Sequence, residues 1–354
     1  MRKAVWVPLV VLGLLAAVAW LARGPIAATL FDRAASERVN RDTVQAGSGL
    51  SVGLCGTGSP LPDRDRAGPC TVILAGNQVF LVDAGEASVR TLQLMGIDPG
   101  RLNGVFVTHY HSDHIDGLGP IALQHWTGRN ARVPLPLIGP TGAEAVAEGF
   151  NRAYAQDHDY RVAHHGEEVV PASGGGLAAR AFPVPTVPTV VYERDGLRVT
   201  AFPVDHRPVI PAVGYRFDYR GRSVVVSGDT AQSTMLEQAA KGADVLVHEA
   251  LQADMVRALT RALDKAGRRT NAKITRDILS YHATPEQAAE TAGLAGVRHL
   301  VLSHLIPPMP NAYFEKAFLG DAPARFDGPI TVGRDGLVFA LPAGSEKIDL
   351  SSRL

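Results

Sequence analysis

Gly104-Val105-Phe106-Val107-Thr108-His109-Tyr110-His111-Ser112-Asp113-His114 is an apolar run that passes directly into four side chains of ligand type. The first four residues read as a buried strand. Ile115-Asp116-Gly117-Leu118-Gly119 follows and leads into a helical stretch. The polar box therefore falls at the C-terminal tip of a strand, where α/β folds place their sites. His109 and His111 are two apart, so an extended backbone points both imidazoles the same way. Asp113 and His114 come where the chain turns and face a second position nearby. Imidazole and carboxylate ligands suit zinc, with manganese or iron as weaker fits.

This His-Tyr-His-Ser-Asp-His box resembles the signature of the metallo-β-lactamase superfamily. The resemblance extends over nearly all of the chain outside its N-terminus. It implies an α/β fold, an αββα four-layer sandwich spanning residues 49–354, with a binuclear metal site between the sheets. Other boxes of the family are found in order. Ser51 to Cys55 reads as a strand and opens into Gly56-Thr57-Gly58-Ser59-Pro60, which resembles the first box of ribonuclease Z-like and arylsulfatase-like members. No Gly-Lys-Ser/Thr follows, so it is not a phosphate loop of the Walker type. Thr71–Leu74 and Val79–Val82 flank Gly76-Asn77, a hairpin signal, and lead to Asp83-Ala84-Gly85-Glu86. Asp83 there would support the ligand loop by hydrogen bonding. Strand patterns then end in Asp205-His206, in Ser227-Gly228-Asp229-Thr230 and in Ser303-His304.

By the same resemblance, His109, His111 and His206 hold one metal. Asp113, His114 and His304 hold a second, and Asp229 bridges the two. Two Zn2+ ions, or Mn2+ or Fe in their place, would lower the pKa of a shared water and clamp the oxygens of a displaced ester. The bridging hydroxide is then the nucleophile, with Asp113 orienting or deprotonating it. His282, in His282-Ala283-Thr284-Pro285, resembles a box whose His faces the scissile group and serves as acid. His248-Glu249-Ala250 resembles the His-Glu-Ala-Thr box, with Leu251 in place of Thr. Its two side chains are expected to orient His282 or a ligand.

The N-terminus has a basic start, Met1-Arg2-Lys3, and then 18 uncharged residues from Val5 to Ala22, ended by Arg23-Gly24-Pro25. That pattern reads as a signal peptide or signal anchor over residues 1–23, with 24–48 a linker or short helix. It puts the body in the periplasm, attached to the membrane if uncleaved. The two cysteines, Cys55 and Cys70, then have an oxidising setting in which to pair. Residues 157–196 read as an irregular rim. Within it His164 and His165 are candidate substrate contacts, as are Arg64 and Arg66 after the first Gly-rich turn.

Lys plus Arg and Asp plus Glu both number 35, and apolar residues make up 46% of the chain. The body is globular, and no overall basic excess advertises nucleic-acid binding. Three features shape the expected activity. Asp229 separates the chain from true metallo-β-lactamases. Asp205-His206-Arg207-Pro208 separates it from glyoxalase II. His206 and Asp229 are only 23 apart, too close for the long arm by which tRNA-processing members grip their substrate. The expectation is an exported hydrolase of small sulfate or phosphate esters, arylsulfatase-like or phosphodiesterase-like, with nucleic acid an unlikely partner. Ribonuclease Z activity is the alternative, and a non-catalytic metal-binding sensor is the alternative of another class. Family members are often dimers, so a homodimer is also expected.

Overall fold

The computed structural model describes residues 6–39 and 47–354. The chain divides into two compact units, one up to Thr43 and the other from Val44 to Leu354. In the first, α1 (Trp6–Val39) is a single helix. It does not stop at Arg23-Gly24-Pro25, and it carries Asp32, Arg33 and Glu37 in its C-terminal part. The basic start at Met1-Arg2-Lys3 lies outside the described residues. Among the described residues no helix is long and apolar enough to cross a membrane. This corrects the expected anchor over residues 5–22.

In the second unit the chain builds two sheets in succession. The first takes β1 (Leu50–Gly56), β2 (Cys70–Ala75), β3 (Gln78–Val82), β4 (Gly104–Phe106), β5 (Leu135–Pro140) and β6 (Leu177–Phe182). The second takes β7 (Thr189–Arg194), β8 (Leu197–Pro203), β9 (Val213–Tyr219), β10 (Arg222–Val226), β11 (Val245–Leu251), β12 (His299–Ile306) and β13 (Ile330–Val332). The chain then returns, and β14 (Leu337–Leu341) pairs with β1 while β15 (Asp349–Ser352) forms the edge. The β2–β3 hairpin turns at Gly76-Asn77 with Ala75 opposite Gln78.

Strand alternation sorts the core into layers. On β2, Ile73 and Ala75 point at the second sheet, where they join Phe80, Phe106, Tyr215, Phe217 and Val245 in one buried cluster. Val72 and Leu74 point the other way. They pack with Leu92 of α2 (Ser88–Leu94), beyond which a short turn, α3 (Ser112–Ile115), leads to α4 (Leu118–Arg129) and α5 (Ala143–His165). Ile121 and Ala147 come from those last two helices. The second sheet is covered by α6 (Thr234–Ala239). After α7 (Ala253–Lys265) and α8 (Arg269–Asp277) come α9 (Pro285–Ala295) and α10 (Glu315–Leu319), which complete its cover. Leu236, Ala288, Ala292 and Phe318 there pack on Leu246 and Leu300. The two sheets are mixed α/β layers with helices on both outer faces.

Residues 157–196 are not an irregular rim. α5 continues to His165, and both β6 and β7 lie in the stretch. Asp157 and Arg161 pair across one turn at 2.7 Å and favour that continuation. β6 and β7 are short edge strands, β7 mostly exposed and β6 mostly half-buried or buried, so their alternation carries little apolar signal.

Cys55 and Cys70 are joined by a disulfide. It closes the loop that holds the first Gly-rich turn. Arg222 at the start of β10 is buried with Asp244, its guanidinium forming two 3.0 Å bonds to the carboxylate. Its other end donates to the carbonyls of Pro342 and Lys347 just after β14. One arginine thus ties the second sheet to the chain leaving the first. Removing it as Arg222→Met strands the Asp244 charge and is expected to destabilise the protein by about 3–5 kcal/mol, whereas Arg222→Met with Asp244→Leu should cost clearly less. Urea unfolding of the two variants checks the order.

Candidate metal centre

The cluster is assembled at the strand tips between the two sheets. β4 leads through Val107 to Thr108 and His109, and α3 delivers Asp113 and His114. β8 leads to His206, β10 to Asp229, and β12 carries His304. His109, His111, His206 and Asp229 each offer a ligand atom, and these atoms lie within 4.8 Å of one another. The same holds for Asp113, His114 and His304, and for Asp229, His282 and His304. The seven expected ligands are thus brought to one place, and His282 adjoins them.

Asp229 Oδ2 is at the middle. It is 3.4 Å from His114 Nε2 and from His304 Nε2, 3.8 Å from His109 Nε2 and 3.9 Å from His206 Nε2. Two backbone devices allow this convergence. Gly228 has φ +63, and a side-chain carbon there would come within 2.8 Å of the Val213 carbonyl and 2.9 Å of Thr108. Only glycine fits before Asp229. On β12, Glu249 faces Ser303 and Ala250 faces Leu305, so His304 is the extra residue of a bulge. Its φ is +48, a left-handed conformation held by the pairing on either side.

Four of the imidazoles, His109, His114, His206 and His282, are oriented through Nδ1. Asp83 also has a left-handed φ, +61, at the end of β3. Its carboxylate accepts from the Thr108 amide and hydroxyl, both at 2.8 Å, and from His114 Nδ1 at 2.8 Å. With its proton committed to Asp83, the Thr108 hydroxyl accepts from His109 Nδ1 at 3.1 Å. His206 Nδ1 donates to the Tyr281 carbonyl at 2.9 Å. His282 Nδ1 donates to Glu249 Oε1 at 2.8 Å. In every case Nε2 is the nitrogen turned inward, although that of His109 also lies 3.0 Å from His111 Nδ1.

The buried atoms that remain point to a missing partner. His114 Nε2, His206 Nε2, His304 Nδ1 and Asp229 Oδ1 are buried with no hydrogen bond. Native proteins rarely leave such groups unmatched. A cavity of about 30 Å³ touches Asp83, His114, Asp229, Glu249 and His304, room for a water-sized occupant. Burial, then the neighbouring His114, holds His109 well below the usual imidazole range. Burial brings His206 to about 4. Both are neutral and able to coordinate. Burial would raise Asp229, but His304, His114 and His109 outweigh it and keep the carboxylate ionised. His114 shows the reverse balance, with Asp229, Asp83 and Asp113 overcoming burial to hold it well above its ordinary value. Neutral His109 and His206 beside an ionised Asp229 fit a divalent cation, which would take the place of the proton that the carboxylates now hold on His114.

Glu249 and His248 divide. Glu249 shares the inward face of β11 with Val247 and accepts also from the Thr230 amide at 2.9 Å. Burial and Asp229 push its carboxyl well up. His248 alternates with it and shares the outward face with Leu246 and Ala250, which pack against the helix layer. It is fully buried there, and burial lowers it to about 4. The expectation that His248 orients a ligand is corrected by this alternation.

The candidate substrate residues stand apart. His164 and His165 are exposed at the end of α5 and contact each other's rings. Arg64 is exposed in the loop after the Gly-rich turn. Arg66 is turned inward, donating to Thr57 Oγ1 at 2.7 Å beside Asp63 and Asp335. The sequence did not mark the Tyr281 carbonyl or the Thr108 hydroxyl. A backbone acceptor leaves no trace in residue identity, although Thr108 stands directly before the His box.

Asp83 anchors His114 directly and His109 through Thr108. Asp83→Ala is expected to weaken zinc affinity about 10–100-fold. Competition against a graded chelator measures this, and unchanged affinity would show that the loop holds its imidazoles without Asp83.

The comparisons with known proteins agree with this geometry. A beta-lactamase superfamily domain model matches residues 78–305. A relative from Mycobacterium bovis, named ribonuclease Z, is 38% identical over 288 residues, covering 81% of this chain and 96% of its own. One from Mycobacterium avium with the same name is 39% identical over 289 residues, covering 81% and 96%. Human tRNase Z, short form, has a similar fold, with a TM-score of 0.57 at 22% identity, over 82% of this chain and 98% of that one. The expectation of an exported hydrolase of small sulfate or phosphate esters is overturned by these relatives, and with it the exclusion of nucleic acid. The short spacing between His206 and Asp229 is no obstacle, because the chain aligns with 96% of the length of relatives bearing that name. The periplasmic placement does not stand beside those relatives and the absence, among the described residues, of a membrane-crossing helix. The chain belongs to the metallo-β-lactamase superfamily, in its ribonuclease Z branch.

Proposed function

We propose that this protein is a ribonuclease Z, a metal-dependent endonuclease that hydrolyses a phosphodiester bond at the 3′ side of tRNA precursors. The observation that carries the reading is the 38% identity to ribonuclease Z of Mycobacterium bovis across 96% of that relative. The converging ligand atoms supply the chemistry. His109, His111 and His206 would hold one ion and Asp113, His114 and His304 another, with Asp229 available to both. Zinc suits this set. Two such ions, when bound, activate a water and neutralise charge on the scissile phosphate.

The protein's own side chains do the rest. Asp83 and the Tyr281 carbonyl lock the tautomers of His114 and His206, so their Nε2 atoms need no reorganisation. Asp113 Oδ2 sits 3.2 Å from His304 Nε2 and orients the attacking water from its other lone pairs. Glu249 holds the proton of His282 on the Nδ1 side, which turns Nε2 toward the cleft. His282 Nε2 takes up a proton from the surrounding water and passes it to the leaving ribose oxygen as the P–O bond breaks, a role worth about 10²–10⁴ in rate.

Incubation of the zinc-loaded protein with a tRNA precursor carrying a 3′ trailer should release the trailer. His109→Ala and Asp229→Asn should abolish the product and lower bound zinc. His282→Ala should lower kcat about 10²–10⁴-fold while bound zinc is unchanged. Intact precursor after incubation with a protein holding two zinc ions per chain would overturn the reading.

A further inference from the structure

The interval between Glu249 and His282 is occupied by a helical hairpin, α7 and α8. Its charge is unlike that of the whole chain. Residues 253–277 hold seven Lys or Arg against three Asp, in a protein of net charge zero. The cations form stripes. Arg257, Arg261 and Lys265 are four apart on α7, and Arg269, Lys273 and Arg276 follow at four and three on α8. Side chains at these spacings share a helix face. The opposite faces form the seam, where Val256, Thr260, Ala272 and Thr275 are buried and Thr260 Oγ1 bonds Thr275 Oγ1 at 2.8 Å.

Three of the seven are internally matched. Arg257 pairs with Asp254, Arg276 with Asp264 and Lys273 with Asp277. Arg261, Lys265, Arg268 and Arg269 are exposed and make no ion pair among the described residues. They crowd the tip, where residues 264–271 are all exposed. Arg268 and Arg269 also stand at the N-terminal end of α8, whose first turn has no acidic residue. A cation there works against the helix dipole. This placement costs stability and concentrates positive potential at one point.

The hairpin is rooted in the metal centre. Its two ends are joined by the 2.8 Å bond from His282 Nδ1 to Glu249 Oε1. Leu251, Val256, Ile306, Leu61 and Leu279 pack its base. Thirteen residues of α7 put the tip about 20 Å from that root. We propose that the α7–α8 tip binds the phosphate backbone of the RNA whose scissile bond lies in the centre, taking Arg261, Lys265, Arg268 and Arg269 as its phosphate contacts. This rests on the ribonuclease reading and gives this chain a substrate grip outside the His206–Asp229 interval.

The test is fluorescence anisotropy of a 5′-labelled tRNA precursor on the zinc-loaded protein across a salt series. It compares wild type with a variant carrying Arg261→Gln, Lys265→Gln, Arg268→Gln and Arg269→Gln. A control variant of equal charge carries Arg132→Gln, Arg152→Gln, Arg194→Gln and Arg198→Gln. The hairpin variant is expected to bind 10–100-fold more weakly, with the slope of log K against log salt reduced by about 3. The control should stay close to wild type. Turnover of bis(p-nitrophenyl) phosphate should be equal in all three, since no hairpin cation touches the centre. Equal affinity and slope in wild type and hairpin variant, or an equal loss in the control, would overturn the proposal. A wild type that binds the precursor without cleaving it would sink the ribonuclease reading, while the affinity ratio would still decide the hairpin.

Discussion

The structure depends on keeping one carboxylate ionised in a closed place. Asp229 is buried between two sheets, and four imidazole Nε2 atoms approach its Oδ2 within 3.4–3.9 Å. Burying such a charge without partners is prohibitive. It is held there because three of these rings, His109, His114 and His206, and His282 beside them are pinned from outside by a group that fixes the tautomer. Asp83, Thr108, the Tyr281 carbonyl and Glu249 do this from separate elements. The second layer is thus as constrained as the first, and the strand tips cannot drift independently. A cation is the partner that such a carboxylate and a ring of bare nitrogens together call for.

Convergence also uses unfavourable backbone. Asp83 and His304 both adopt left-handed φ, which a non-glycine residue enters at a cost on the order of 1–3 kcal/mol. The cost is met by neighbours that overdetermine the geometry. Asp83 is held by three hydrogen bonds. His304 is trapped in a bulge whose next residue, Leu305, donates its amide to the Thr57 carbonyl at 3.0 Å. Thr57 is in turn fixed by Asp335, which accepts from its amide and hydroxyl at 2.9 and 2.8 Å. The first Gly-rich turn therefore braces the last ligand strand. Its role is structural support of the site from the far end of the sequence.

Much of this was legible in the residues. The His109 box, the strand that feeds it and the three later strand tips carry strong local signals, because buried strands are apolar and ligand side chains are scarce among apolar neighbours. The β2–β3 hairpin was marked by its turn and α9 by Thr284-Pro285, which forms a capping box with Gln287. What was illegible lacked a local signature. β6 and β7 are edge strands whose pattern is set by the sheet they join. The outward turn of His248 follows from strand parity, which the resemblance of His248-Glu249-Ala250 to a functional box does not reveal. The apolar run at the N-terminus looked like an export signal, and that inference then coloured the choice of substrate.

The charge of the whole chain is a poor guide to its partners for an electrostatic reason. A net charge of zero describes the far field, and the far field is screened within about 8–10 Å at physiological salt. A polyanion at contact responds only to charges inside that radius. The whole chain balances 35 against 35, yet residues 253–277 are seven against three, and the unmatched cations lie together at one tip. Acidic residues on other elements balance the sum for the whole chain without pairing with these four cations among the described residues. Charge has to be counted by the element that meets the ligand. Counted so, the hairpin between Glu249 and His282 carries a local excess of four cations, and it grows from the two residues joined by the His282 Nδ1 to Glu249 Oε1 bond.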